Sequence, residues 1–420
     1  MSTTTSDTII VGAGIIGLST AYYLSESKST PASSIHLVDA SKELLNCASG
    51  YAGGFVAEDW FAPSNAPLGA LSFKLHKDLA AKYNGRNKWG YCASTSFSSS
   101  QPQDCEEAVG GSGEDWLADG TSRAQAVAAD SKSAVGQKPA WLKRTEEGIL
   151  EEISAKGSVA QIDPLRFCQW LKEQLLERGV TIHHPARVIS VSKDGDGQLN
   201  GVRLSEGGTE NELPCKNLVI SSGAWTPRVF SSLFPKSKAR IPISHLAGHS
   251  LLLNNPLHKV DEEDIESCHS VFATDTLGFS PEWFSRLGGE LYLAGLNSTL
   301  IPLPDADENV KADPKSVEQL KQCAAEMIGA VEGKELEVKR EALCFRPVTA
   351  SGRPIVCRIP DDKLGGGLKT RGGSEGGVFL AAGHGAWGIS LAPGTGLVLS
   401  ELIQGRVPSA NISALTLPSL

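Results

Sequence analysis

The chain has 420 residues, 40% of them hydrophobic, which is enough to bury one large core or two smaller ones and excludes a wholly disordered chain. Acidic residues (48) outnumber basic ones (39) for a net charge of -9, and no long basic run occurs, which argues against nucleic acid or an anionic membrane surface as partner. The nine cysteines (47, 92, 105, 168, 215, 268, 323, 344 and 357) are odd in number and widely spread with no CxxC pair, so a reduced intracellular compartment suits them better than a disulfide framework.

Thr8 to Val11 reads as a short buried strand, Gly12 to Gly17 as a turn, and Leu18 to Leu24 as a helix. The surrounding TIIVGAGIIGLSTAYYL is apolar, but its three glycines and the lack of a basic leader or cleavage site argue against a signal peptide, and nothing calls for stable membrane insertion. The terminal PSL lacks the basic residue of the SKL peroxisomal address, so the expected location is cytoplasmic, with the peroxisome the weaker alternative. IHLVDA is a second strand, ending at Asp39 and Ala40. From Ser98 to Lys138 the composition suits a mobile surface insertion.

Asp163-Pro164 supplies an N-cap and first-turn proline for a helix that Gly179 closes, and VTIHHPARVISV follows as a strand. KNLVISSGAW and GVFLAAGHGAWG are each a buried strand running into small residues. Between them lie strand-like HSLLLN, SVFAT and ELYLAGL and a helix from Pro314 to Val331. LAPGTGLVLSELIQG predicts a helix beginning near Pro393 or Gly394. This order predicts an α/β chain with a second domain inserted: a nucleotide-binding part at 7–60, 155–228 and 345–410, and a cap at 61–154 and 229–344.

Gly12-Ala13-Gly14-Ile15-Ile16-Gly17 follows a strand and opens a helix, with Asp39 at the end of the next strand. The glycines allow a tight turn and close backbone approach to a pyrophosphate, the helix N-terminus offers N–H groups, and the acid suits ribose hydroxyls. The ordinary alternative is a glycine-rich turn. ASGYAGGF at 48–55 and LAAGHGAWGISLAPGTG near the other end are further glycine-rich stretches, and contacts from both ends of a chain suit a flavin lying across a sheet better than a nicotinamide.

At these residues the chain resembles the D-amino-acid oxidase-like FAD oxidoreductases, which include glycine, sarcosine and pipecolate oxidases. The resemblance runs from IIVGAGIIGLSTAYYL through DPLRF and SSGAW to RPVTASGRPI and GHGAWGISLAPGTG, and ASGYAGGFVAEDW looks closest to a little-characterised fungal and plant branch. It implies FAD as cofactor, a Rossmann-type FAD-binding domain, and an inserted α+β substrate domain on a mostly antiparallel sheet. It places Gly12, Ala13, Gly14, Ile15, Ile16 and Gly17 at the pyrophosphate and Asp39, Ala40 and Ser41 at the adenosine ribose. Ser49, Gly50, Ala52, Gly53 and Gly54 fall along the ribityl and phosphate side, and Val188 at the adenine. Ser222, Gly223 and Trp225 form a second strand-to-loop contact, and Gly383, His384, Gly385, Trp387, Gly388 and Ile389 the loop along the ring.

The resemblance further implies an enzyme that oxidises the C–N bond of a small-molecule substrate, an amino acid or carboxylated secondary amine, to an imine by hydride transfer to flavin N5, with oxygen or another electron acceptor. The alternatives are an FAD-binding protein with an assembly or trafficking role and little turnover, and an FAD dehydrogenase that uses an acceptor other than oxygen. Arg346, in CFRPVTASGRP, would clamp a substrate carboxylate through two parallel hydrogen bonds; pairing with a local acid such as Glu341 is the plain alternative. Cys344 matches the thioether attachment point of the sarcosine and pipecolate branch, yet that branch continues with Tyr and Thr where Arg346 and Pro347 stand here. No lysine occurs in ELYLAGL, where sarcosine-type oxidases carry one that speeds oxygen reduction. The N-terminal dipole of the last helix could stabilise the reduced flavin anion. Trp60, Tyr51, Phe279 and Trp387 are candidates for an aromatic wall, and His245/His249 have zinc-helix spacing but no glutamate between them, so no metal is expected.

Overall fold

The computed structural model describes residues 8–100, 138–143, 148–258, 267–274, 279–329 and 336–418. Of the expected surface insertion, Ser98 to Ser100 end a strand and the bulk lies outside the described residues.

Six strands form one sheet in the order Ile355–Ile359, Gly377–Ala382, Asn217–Ile220, Thr8–Val11, Ile35–Val38, Thr181–His183. All neighbours are parallel except the first pair. Thr8–Val11, Asn217–Ile220 and Gly377–Ala382 are buried throughout, as strands covered on both faces must be. Ile10, Val219 and Phe379 pack toward the helices Ile15–Glu26, Pro164–Glu177 and Gly388–Ile403. Their neighbours Ile9, Val11, Leu218, Ile220, Val378 and Leu380 pack the other way, against Val188, Val202 and Leu204 of a three-stranded meander and the helix Thr226–Leu233.

Asp163 caps the helix Pro164–Glu177 by accepting the Arg166 N–H at 3.1 Å. VTIHHPARVISV forms two strands rather than the one expected: Thr181–His183 joins the parallel sheet and Ala186–Lys193 the meander. Pro185, between them, has no N–H to continue a ladder. The last helix begins at Gly388, earlier than expected, and keeps Pro393 inside it. Proline removes the hydrogen bond that would end on Ile389 O, and His76 Nε2 takes that carbonyl instead at 2.9 Å. Among the described residues one helical stretch, Gly385–Ile403, is long and apolar enough to cross a membrane, but its apolar side chains are buried in the core. The predicted helix from Pro314 ends at Met327, where Ile328 turns to extended backbone.

The second large sheet runs Val338–Val348, Ser244–Asn254, Glu290–Ser298, Glu282–Arg286, Cys268–Ala273, Cys92–Ser100, Val159–Gln161, Phe55–Ala57, with Ile149–Glu152 beside Cys92–Ser100. Only Cys268–Ala273 and Cys92–Ser100 pair in parallel. One face presents Trp283, Leu291, Leu293, Leu251 and Leu253 to Val317 and Leu320 of the helix Pro314–Met327. Strand alternation turns Phe284, Tyr292, Ala294, Cys344 and Arg346 to the other side, toward the parallel sheet.

Candidate functional site

A cleft of about 460 Å³ opens between that second face and the C-terminal ends of the parallel strands, where Val11, Val38, Ser221 and Ala382 reach its wall. Ligands of doubly wound sheets bind at such strand ends. Into it the fold brings Gly12, Ala13, Gly14, Ile15, Ile16, Asp39, Ala40, Ser41, Ser49, Ala52, Gly53, Gly54, Val188, Ser222, Gly223, Trp225, His384, Gly385, Gly388 and Ile389, together with Cys344 and Arg346. Residues more than 300 positions apart thus share one wall system.

Four expected residues stand behind the cleft. A Cβ on Gly17 would lie 1.9 Å from Gly12 O and one on Gly50 2.2 Å from Leu45 O, so these glycines serve close backbone packing, while one on Gly383 would lie 2.7 Å from the Thr349 Cγ2 methyl. Trp387 is buried, its ring 4.8 Å from that of Phe61. Of the expected aromatic wall, Trp60 packs on Phe55 and Phe272 at 5.0 and 5.3 Å, and Phe279 belongs to the core around Trp283. Only Tyr51 of these lines the cleft, where Phe55, Trp225, Phe284, Tyr292 and Phe345 also reach the wall.

The glycine loop is held from three sides. Gly12 has φ +108°, and a Cβ there would stand 2.6 Å from Ser221 O, so the turn closes only on glycine. Asp39 Oδ2 accepts the Ala13 N–H at 2.7 Å, Asp39 Oδ1 accepts from Ser41 N and Oγ at 3.0 and 2.5 Å, and Ser49 Oγ accepts the Ile15 N–H at 3.0 Å. Ser222 Oγ donates to Val11 O at 2.9 Å. The result is a helix N-terminus with close backbone approach and an acid beside it, a cradle that fits the pyrophosphate and ribose of a dinucleotide.

The second glycine stretch is fixed from the second large sheet. Arg286 Nη2 donates to Ala52 O at 2.8 Å and Gly53 O at 3.1 Å, and Gln161 Nε2 donates to Gly53 O at 2.7 Å. Arg286 is buried, its Nη1 within 4.0 Å of Asp163 and 3.9 Å of Glu290. Burial draws its pKa down, and Asp163 works against that. Phe284 and Tyr292 rest on this loop, a Cβ at Gly53 falling 2.6 Å from Phe284 Cδ2 and 3.1 Å from Tyr292 Cε1.

Arg346 Nη1 donates to Asn297 Oδ1 at 2.6 Å. Glu341, the acid considered as its partner, pairs with Lys321 at 2.8 Å, and among the described residues no carboxylate lies within ion-pair distance of Arg346. The guanidinium therefore faces the cleft with a neutral neighbour. Cys344, two residues away on the same face, has its thiol pKa raised by burial, with Arg346 and Arg340 opposing. None of the eight described cysteines forms a disulfide with another.

Beneath the loop at 383–389, His384 Nε2 meets Thr395 Oγ1 at 3.1 Å, and burial lowers its pKa to about 3. His76 is likewise buried and lowered to about 4, and because Ile389 O can only accept, its Nε2 carries the proton. His245 and His249 lie on a strand, each with its own backbone partner: Ile301 O at 3.0 Å and the Asp313 N–H at 3.1 Å.

Sequence reading missed a strap. Leu303 to Val310 crosses the cleft at the Trp225 end, where Trp225 Nε1 donates to Pro304 O at 2.8 Å and Arg228 donates to Leu303 O and Pro304 O at 2.7 and 2.8 Å. Arg228 also reaches Asp305 at 3.5 Å and Arg187 reaches Asp307 at 3.6 Å, so both sides of the cleft hold it. The available signal was acidic LPDADENV set against Arg187 and Arg228.

The chain is 29% identical to a Schizosaccharomyces pombe protein named as an oxidoreductase, over 97% of this chain and 96% of that one. It is 25% identical to D-amino acid dehydrogenase 2 of Pseudomonas aeruginosa, over 97% of each. Its fold matches the crystal structure of glycine oxidase from Geobacillus kaustophilus with a TM-score of 0.68 at 18% identity, covering 98% of both chains. The family model for FAD dependent oxidoreductases, DAO, matches residues 7–402: the chain belongs to that family and FAD is its cofactor.

Proposed function

We propose that the protein oxidises the C–N bond of an amino acid or a carboxylated secondary amine to an imine, which water then hydrolyses. The observation that carries this is Arg346: a guanidinium at the cleft, oriented by Asn297 and without a carboxylate partner among the described residues. A planar guanidinium fixes a carboxylate by two parallel hydrogen bonds, so the substrate is held by its acid group. Phe284, Tyr292 and Tyr51 border the same space. When bound, FAD supplies at N5 the acceptor for a hydride equivalent from the carbon next to nitrogen; the nitrogen loses its proton to solvent. The N-terminus of the helix Gly388–Ile403 adds a positive dipole end to this wall.

In this reading 7–60, 155–228 and 345–410 carry FAD and 61–154 and 229–344 cap it. The strands Phe55–Ala57 and Val159–Gln161 hydrogen-bond into the cap sheet, so the two parts interlock. Arg346→Met should keep FAD bound while raising KM for a carboxylate substrate at least tenfold, the loss of about 1.5–3 kcal/mol from charged hydrogen bonds. Unchanged turnover of amino acids would refute the clamp. Cys344 is the candidate for covalent flavin, and colour released on acid precipitation would remove it from that role.

A second reading concerns the electron acceptor. The cleft-facing strand Glu290–Ser298 contains no lysine, and a D-amino acid dehydrogenase aligns along nearly the whole chain. This favours a carrier or quinone over oxygen. Dye reduction well ahead of peroxide formation supports it; equal rates refute it.

A further inference from the structure

Arg286 stands outside the cleft wall, yet two successive carbonyls of that wall, Ala52 O and Gly53 O, both point at its Nη2. In a trans peptide the C=O and N–H of one unit point in opposite directions. With both carbonyls turned to Arg286, the N–H groups of Gly53 and Gly54 are turned away from it. Neither N–H meets a protein acceptor among the described residues. Ala52, Gly53 and Gly54 all line the cleft, and Phe284 and Tyr292, which border the substrate space, sit on Gly53. Their neighbours Phe284 and Tyr292 favour the ring end of the cofactor for these paired amides, in place of the ribityl and phosphate side that the resemblance implies.

A buried cation costs free energy that an apolar side chain of equal volume would not. Arg286 is nearly inaccessible, its Nε has no partner, and its two nearest carboxylates stand at the limit of ion pairing. Its short hydrogen bonds go to the loop. Gln161 Nε2 adds a second donor to Gly53 O from the neighbouring strand.

We propose that Arg286 is a positioning residue for flavin reduction: it turns the Gly53 and Gly54 amides toward the isoalloxazine, where they and its charge stabilise the negative charge gained on reduction. This rests on placing the flavin ring beside Ala52–Gly54. It needs no substrate for its test, so a failure to find an oxidisable amine leaves it standing.

The test compares wild type, Arg286→Met and Arg286→Lys by thermal melting of the apoprotein, FAD affinity from quenching of flavin fluorescence, and the flavin midpoint potential against reference dyes. Arg286→Met should weaken FAD binding about tenfold or more, the equivalent of one charge-assisted hydrogen bond, and make the potential more negative. Arg286→Lys keeps the charge but cannot reach both carbonyls, and should recover the potential more fully than the affinity. A folded Arg286→Met protein with wild-type affinity and potential overturns the proposal. Where the methionine variant does not fold, a lysine variant equal to wild type in both readings overturns it.

Discussion

Arg346 reaches across Gly248 of the adjoining strand so closely that a Cβ at position 248 would stand 2.0 Å from its Nη1. Gly248 is not in a left-handed conformation, so it is the space above it that calls for glycine. Gly248→Ala should thus displace a flexible side-chain end rather than the backbone. The expected outcome is a rise in KM for carboxylate substrates with FAD affinity unchanged and a melting temperature shifted by no more than a few degrees. Equal KM in the variant and wild type would detach the guanidinium's position from substrate binding.

His76 and His384 make stability pH-dependent. Burial holds their folded pKa values near 4 and 3, below the ordinary 6.5, so the unfolded chain binds more protons than the folded one across that interval. Their contribution is complete above pH 6.5 and is lost as pH falls toward the folded values. Between pH 7 and 5 each should remove about 2 kcal/mol. Urea unfolding midpoints at the two pH values measure this, and His76→Gln should show a shallower decline than wild type. A parallel decline would assign the acid sensitivity elsewhere.

The strap predicts a kinetic phenotype. Its ion pairs are exposed and contribute little, but Arg228 also donates to two strap carbonyls. Removing these, at about 1 kcal/mol each, should accelerate FAD release from Arg228→Ala by up to about 30-fold. The release rate is read as regained flavin fluorescence on dilution. Equal rates would mean that the strap does not gate the cleft.

The glycine loop, Asp39 and Arg346 were legible because each announces itself locally: glycine where backbone must approach, an acid at a strand end, an arginine in a recognisable setting. Phe284, Tyr292 and Arg286 were not. Which face of their strands meets the cleft depends on the register of a nine-stranded sheet whose members lie far apart in sequence, including a shift between Gly248 and Ser250. Pro185 was a visible break within VTIHHPARVISV, and reading it as continuous overlooked the missing donor. The aromatic wall failed for a related reason: Trp60, Phe279 and Trp387 have the right chemistry, but neighbouring rings bury them.

In the strands Glu282–Arg286 and Glu290–Ser298, Trp283, Leu291 and Leu293 belong to the core beneath the sheet while Phe284, Tyr292 and Ala294 border the cleft. The two sets are interleaved yet face away from each other. The lining of the cleft can therefore change by single replacements at 284, 292 and 294 while the scaffold stays intact. A one-residue insertion would exchange the sets and lose both at once. Diversification along these strands is thus open to substitution and closed to changes of length.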